Sequence, residues 1–386
     1  MFSRTYWLEC IEAAWRRRPV IWLSGVRRAG KTQLCLALPD SEYFDCELPS
    51  VRRRLADPEL FLRDMAGRRV VLDEIHRLPD PSELLKIAAD HFPGTRVLAT
   101  GSSTLGASSR FGDTLTGRKE NLWLTPMMSA DVTAFGGTLE QRLQRGGLPP
   151  FFVAGEAVER DYQEWLDAYW ARDIQELFRL EKRHTFQKFL ELLLVQSGGM
   201  YEATRFAREC EASRPTMNNY LAVLEATHVV HVLRPFSHRR AAEIVAAPKV
   251  YGFDTGFVCM WRGWRTLRPE DHGVLWEHYV LNELHARLQN REIRYWRDKQ
   301  GHEVDFVIER RGAPPLAIEC KWHYRGDSFP GLEVFARHYP EADLLVVAAD
   351  AEGSHTIRCG AGEARLLSLE ALMGYLIGAA GAVAAA

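Results

Sequence analysis

Short apolar runs alternate with helical patterns through the first 150 residues of the chain. Val20-Ile21-Trp22-Leu23-Ser24 is a run of strand formers bounded by Pro19 and Gly25. Gln33 to Leu38 reads as a helix stopped by Pro39, and Arg69 to Glu74 and Arg96 to Thr100 are two further strand-like runs. This alternation predicts a parallel α/β sheet with its ligand at the carboxyl edge of the strands. Gly136-Gly137 and the stretch Gly146 to Pro150 break the pattern, and the first domain is placed at residues 1–150.

From Glu156 to Val195 the period becomes helical, with Tyr162, Trp165, Leu166, Tyr169 and Trp170 forming an apolar stripe. Such stripes build cores, and Arg172-Asp173-Ile174 lies on its continuation. Tyr201 to Glu209 predicts a short helix, Ala212 to Pro215 a turn, and Thr216 to Ala226 a second helix. Val229 to Leu233 and Lys249 to Phe253 read as strands around a basic loop, Arg234 to Arg240. Helix, turn, helix and a two-stranded wing is the plan of a winged helix, so residues 151–260 are read as a helical and winged-helix region. The remainder, 261–386, opens on an amphipathic helix from Leu275 to Leu284. It continues with strands at Glu303–Ile308 and Leu316–Trp322, then a helix and strand between Glu333 and Ala348.

Composition changes this picture little. With 46 % hydrophobic and 26 % charged residues among 386, the chain is ordinary for a globular protein. Its net charge of −2 removes any global polycation argument, so nucleic acid would need a local patch. The seven cysteines form no C-x-x-C pair, which predicts reduced, mostly buried thiols and neither a zinc site nor a disulfide framework. Residues 1–15 are too mixed in character for a signal peptide. The uncharged tail from Ala371 is shorter than a spanning helix needs and reads as a terminal helix. A cytoplasmic protein without a membrane partner is expected.

The first candidate chemistry follows the first strand. Gly25, Val26, Arg27, Arg28, Ala29, Gly30, Lys31 and Thr32 fit G-x-x-x-x-G-K-[ST] between a strand and a helix, the context in which that spacing binds ATP. The glycines permit backbone angles and close approach that a side chain forbids. The loop amides and the helix start cradle phosphate, Lys31 supplies a point charge, and the Thr32 hydroxyl ligates Mg2+. Asp73, at the end of the second apolar run, would hold the magnesium through water, and Glu74 would orient or deprotonate the attacking water. Ser102, after the third run, is either a sensor of the γ-phosphate or an ordinary turn residue. Arg118 either reaches a phosphate, in its own chain or from a neighbouring subunit of an oligomer, or is a solvated arginine.

The second candidate lies near the C-terminus. Glu303 and Asp305 share one face of a strand, and Glu319 and Lys321 one face of the next. An acid on a helix followed by D…E-x-K on adjacent strands is the arrangement of restriction-type nucleases. Glu277, Asp305 and Glu319 would bind metal, and Lys321 would assist the attacking water. The alternative is that E-x-K lies on an edge strand and is merely solvated. DNA is a possible partner of the winged helix, with Asn218 and Asn219 near bases and Arg239 and Arg240 near phosphates. A winged helix used only as a spacer is equally open.

The order of these motifs resembles a family of bacterial and archaeal AAA-class predicted ATPases whose C-terminal domain of unknown function ends like a restriction endonuclease. The resemblance rests on Gly25–Thr32, Leu72-Asp73-Glu74, Thr100 to Ser103, Gly117-Arg118 and Gly146 to Pro149. It continues in Tyr169 to Ile174, Tyr251 to Gly256, Glu303 to Phe306 and Glu319-Cys320-Lys321. Gly252 stands where an aromatic residue is more usual in that family. The resemblance implies ATP binding and hydrolysis without fixing a biological role. An ATP-driven switch or motor, an ATP-gated DNA or RNA nuclease, and an ATP-binding DNA regulator with little turnover all remain open.

Overall fold

The structure is a computed structural model, and it describes residues 4–101, 115–155, 158–178, 180, 182–237, 247–289, 292–310, 312–326 and 328–384. The chain forms two compact units, 1–187 with 218–229 and 188–217 with 230–386.

The first unit is built on five strands: β1 (Val20–Ser24), β2 (Ser41–Asp45), β3 (Arg69–Asp73), β4 (Arg96–Thr100) and β5 (Lys119–Trp123). They are all parallel, in the order β2-β3-β4-β1-β5. Parallel strands are buried on both faces, which is why β1, β3 and β4 read as continuous apolar runs rather than alternating ones. Each residue of β1 is buried, and Val20 pairs with both Val97 and Lys119 across its two neighbours. Because β4 and β5 flank β1, chain direction diverges at its carboxyl end and leaves a crevice there. The loop that follows β1 occupies that place.

The stretch from Glu156 to Val195 is helical in its described residues, in several segments. It runs as Glu159–Tyr169, a π-helical turn at Trp170–Ile174, Gln175–Phe178 and then Arg183–Val195. Its aromatic stripe is core, as expected: Tyr162, Trp165, Leu166 and Tyr169 are all buried. The Tyr169 hydroxyl and Thr227 Oγ1 lie 2.6 Å apart in that core.

The second unit carries two sheets. The smaller has three strands, β6 (Gly199–Met200), β7 (Val230–Leu233) and β8 (Lys249–Gly252), in the antiparallel order β6-β8-β7. The larger contains β9 (Ile293–Arg297), β10 (Glu303–Arg310), β11 (Ala313–Lys321), β12 (Asp343–Ala348), β13 (Ser354–Cys359) and β14 (Gly362–Leu367). Their order is β13-β14-β12-β11-β10-β9. This places β11 in the interior of the sheet, so its E-x-K segment does not lie on an edge strand. The helix Asp271–Leu288 packs against β11 and the terminal helix Leu369–Ala384, and it buries residues on nearly every face. It is therefore not amphipathic; neighbours on several sides leave it little solvent face. The terminal helix buries Leu372, Met373 and Leu376, and no helix among the described residues is long and apolar enough to cross a membrane. All seven cysteines are free thiols, and all but Cys10 are buried.

Gly252 has a specific reason to stay small. A Cβ there would lie 2.7 Å from Leu194 Cδ2, and its amide donates to Ser197 Oγ at 2.6 Å. Ser197 Oγ also sits 2.6 Å from His278 Nε2, while His278 Nδ1 lies 2.7 Å from the Val274 carbonyl oxygen. The carbonyl can only accept, so Nδ1 donates, and in the neutral ring Nε2 accepts from the serine. Burial pushes the His278 pKa down to about 3 from its ordinary 6.5.

A depressed histidine binds its proton in the unfolded chain before the folded one. Its contribution to stability is complete above pH 6.5 and falls by about 1.4 kcal/mol per pH unit as pH drops toward 3. Urea midpoints measured between pH 7.5 and 5 should show this loss in the wild type. His278→Gln, destabilised at neutral pH, should lose less on acidification; an unchanged slope would dismiss His278 as its source.

Candidate functional site

The loop after β1 is held by its own chemistry. Gly25 has φ of +151°, and a Cβ added to it would lie 2.5 Å from the Leu124 carbonyl oxygen on the strand side of the sheet. Only glycine fits that approach. At the other end, Arg4 donates to the Ala29 carbonyl at 2.9 Å and to the Thr125 carbonyl at 3.0 Å, with Asp131 as its counter-ion at 2.6 Å. Both charges of that pair are almost fully buried, so losing either leaves the other uncompensated, at a cost of roughly 3–5 kcal/mol.

Lys31 turns back over the loop and donates to the Gly25 and Val26 carbonyls at 2.8 and 3.2 Å. Burial lowers its pKa, against the opposing charges of Glu74 and Asp173. Thr32 Oγ1 donates to Asp73 Oδ2 at 2.8 Å, which joins the expected phosphate and magnesium residues in one place. Two hydroxyls to which the sequence assigned no role at this site complete the set. Tyr43, on β2, donates to the same Asp73 oxygen at 2.7 Å, and Thr100, at the end of β4, donates to Asp73 Oδ1. Asp73 is 3 % exposed, and three O–H donors hold its carboxylate in one orientation.

Glu74 has a left-handed backbone, φ 52° and ψ 45°, and its amide donates to Thr100 Oγ1 at 3.2 Å. Its carboxylate lies 3.1 Å from His76 Nδ1. Burial alone would raise the Glu74 pKa, but the His76 hydrogen bond and the Lys31 charge bring it down to about 2. A carboxylate so acidic is ionised throughout the neutral range and accepts a proton poorly, which favours orienting a water over removing its proton.

Around these groups is a cavity of about 330 Å3. Its wall includes Gly25, Gly30, Lys31, Thr32 and Glu74, and also residues that sequence spacing did not bring here: Pro149, Pro150, Arg172 and Asp173. The Gly146–Pro150 stretch, read as a domain end, returns to the phosphate loop. The π-turn does the same. Asp173 Oδ2 pairs with Arg27 Nε at 3.2 Å, and Trp165 Nε1 donates to the Arg27 carbonyl at 3.0 Å. A π-turn inside a helix is uncommon and is often found at functional sites. Burial raises the Asp173 pKa, against the charges of Arg27 and Lys31.

The residues fit a nucleotide triphosphate and its magnesium on these observations: a cavity bordered by a lysine, a hydroxyl and a buried carboxylate already aligned on one another. Arg118 pairs with Asp90 at 2.7 Å on the surface and does not line the cavity. Ser102 lies outside the described residues, as do Arg239 and Arg240.

In the second unit, Glu277, Asp305, Glu319 and Lys321 come within electrostatic reach of one another. Burial and the charge of Asp305 push Glu277 and Glu319 each up to about 8, and burial raises Asp305. Lys321 Nζ donates to Glu319 Oε1 at 2.9 Å, and Asp305 Oδ2 accepts from the Cys320 amide at 2.8 Å. Tyr251 donates to Glu277 Oε2 at 3.1 Å. Among the described residues, no three or more His, Cys, Asp and Glu side chains are gathered in a metal-holding arrangement as they stand.

A model of an AAA domain matches residues 17–133, and models of two domains of unknown function match 136–268 (DUF8612) and 272–359 (DUF4143). An uncharacterized protein of Mycobacterium tuberculosis is 31% identical over 322 residues, covering 79% of this chain and 70% of that protein. An uncharacterized protein of Mycobacterium bovis matches to the same extent. Among solved structures, a Walker-type ATPase of Pyrococcus abyssi is similar at TM-score 0.43 and 15% identity, over 68% of this chain and 96% of that one.

Asp173 places a negative charge beside the two cations that would meet a phosphate. Asp173→Asn should therefore tighten ATP binding by about three- to tenfold. Titration with a fluorescent ATP analogue measures this. Weaker binding would mean instead that Asp173 is needed to aim Arg27.

Proposed function

Since the chain belongs to the P-loop ATPase family that carries an AAA domain and a C-terminal domain of unknown function (DUF4143), we propose that it binds ATP with Mg2+ and hydrolyses it as a molecular switch. The observation that carries this reading is the convergence of Thr32, Tyr43 and Thr100 on the Asp73 carboxylate beside Lys31 and Glu74. Bound magnesium supplies neutralisation of the charge that develops on the outer phosphates. Thr32 and Asp73 are the residues that would hold it.

The protein's own groups do the rest. Lys31 exchanges the Gly25 and Val26 carbonyls for phosphate oxygens, a stronger, charge-assisted pairing. Glu74, ionised and anchored by its amide to Thr100, orients the attacking water once its carboxylate leaves His76. Arg27 and Arg172 face the same space and add positive charge.

What the switch acts on is read from the helices and strands that follow. Along the chain, helix Ala203–Glu209, helix Arg214–Ala226 and then β7 and β8 follow the element order of a winged helix. Asn218 and Asn219 are exposed near the start of the second of these helices, which favours duplex DNA as the partner.

Lys31→Ala should remove ATP-dependent phosphate release, while Glu74→Gln should keep ATP binding and lose at least 100-fold in turnover. Phosphate release and nucleotide titration, run on the same preparations, separate the two effects. Wild-type turnover in either variant would end the hydrolytic reading.

A further inference from the structure

The second unit concentrates charge that lies outside the wall of the phosphate-loop cavity. Strand alternation brings Lys249 with Tyr251 from β8, Glu303 with Asp305 from β10, and Glu319 with Lys321 from β11. The helix Asp271–Leu288 adds Glu277. Lys249 was not among the residues picked out by the D…E-x-K spacing, because it lies more than fifty residues earlier in the chain.

Lys249 is 4 % exposed. Its Nζ lies 2.6 Å from Glu303 Oε1 and 5.4 Å from the centre of the Tyr251 ring, whose hydroxyl is bound to Glu277. Arg297 also reaches Glu303, at 3.5 Å. An ammonium this deeply buried persists only among carboxylates, and the charges of Glu277, Asp305 and Glu303 all act on it. The three acids proposed from sequence as metal ligands are each already engaged: Glu277 by Tyr251, Asp305 by the Cys320 amide, Glu319 by Lys321. Divalent ions need several carboxylate or carbonyl oxygens converging on one point with negative charge to spare. Here Lys249, Lys321 and Arg297 offset three of the four negative charges that Glu277, Glu303, Asp305 and Glu319 carry when all are ionised, which leaves at most one for a divalent ion.

We propose that Lys249 is the resident cation of this cluster, standing where its carboxylates would otherwise draw a divalent metal ion. The second unit is then an ionic scaffold of nuclease-like layout that works without metal and does not cut nucleic acid.

The test is a Mn2+ titration of the full, nucleotide-free chain followed by electron paramagnetic resonance, with Asp73→Asn present throughout to remove the ATP site's contribution. In this background the chain should show no Mn2+ binding that a further Asp305→Asn substitution removes. Lys249→Met should create such a site, at least tenfold tighter than any residual Mn2+ binding of the parent, and Asp305→Asn should abolish it. Asp305-dependent Mn2+ binding with Lys249 intact would overturn the proposal, and so would a folded Lys249→Met protein that gains none. If Lys249→Met does not fold, the comparison with Lys249 intact decides alone.

Discussion

The first unit is organised by one carboxylate. Asp73 ends β3 almost out of solvent, where an unpaired charge would be prohibitive. Its oxygens accept hydroxyls from Thr32 after the phosphate loop, Tyr43 on β2 and Thr100 on β4. Three neighbouring segments are thus fixed to one another at the strand ends, where parallel order has opened the crevice. The strands could pack with an apolar residue at this position. They could not then present a preformed anionic point to a cation, and Thr32 would have no acceptor for its proton.

Around that point the loop is restrained from several directions. Arg4 holds the Ala29 carbonyl, Trp165 holds the Arg27 carbonyl, and the Leu124 backbone excludes any side chain at Gly25. The restraints come from Arg4 just before the helix Thr5–Arg17, from the aromatic helix Glu159–Tyr169 and from the strand-end backbone, so loop geometry depends on the packing of the whole unit. Lys31 and Arg27 are the exceptions. Their partners are loop carbonyls and Asp173, contacts that a phosphate can replace, and that contrast between fixed backbone and exchangeable charge lets a site be both preformed and responsive.

The sequence made some of this legible and hid the rest for identifiable reasons. The phosphate loop and Asp73-Glu74 announce themselves because their glycines, lysine and acids lie within short, chemically constrained segments. Ser41–Asp45 escapes because Ser-Glu-Tyr-Phe-Asp after a proline carries little apolar signal; β2 is a partly exposed edge, and Tyr43 is recognisable only once it is paired beside β3. Pro149 and Asp173 look like a domain end and a helix continuation because their role arises from long-range folding. The β13–β14 hairpin, with few buried positions on β13, was also invisible to apolar patterning. The helix Asp271–Leu288 misled in the opposite direction: its polar residues mimic a solvent face, yet Asn282, Glu283 and His285 are buried.

The two units solve the problem of buried charge in different ways, and the difference bears on function. In the first, hydroxyls satisfy Asp73 and loop carbonyls hold Lys31, so an anion that replaces those carbonyls breaks no ion pair of Lys31. In the second, ammonium and guanidinium groups meet the carboxylates directly at 2.6, 2.9 and 3.5 Å, so admitting a metal ion would mean breaking ion pairs already made, that of buried Lys249 above all. A shared vocabulary of acids and lysines on strand ends therefore says less than the identity of their partners. Where the partners are neutral, as at Asp73 and Lys31, the charge remains available for a ligand; where a buried ammonium meets a carboxylate, as at Lys249 and Glu303, the fold has already used it.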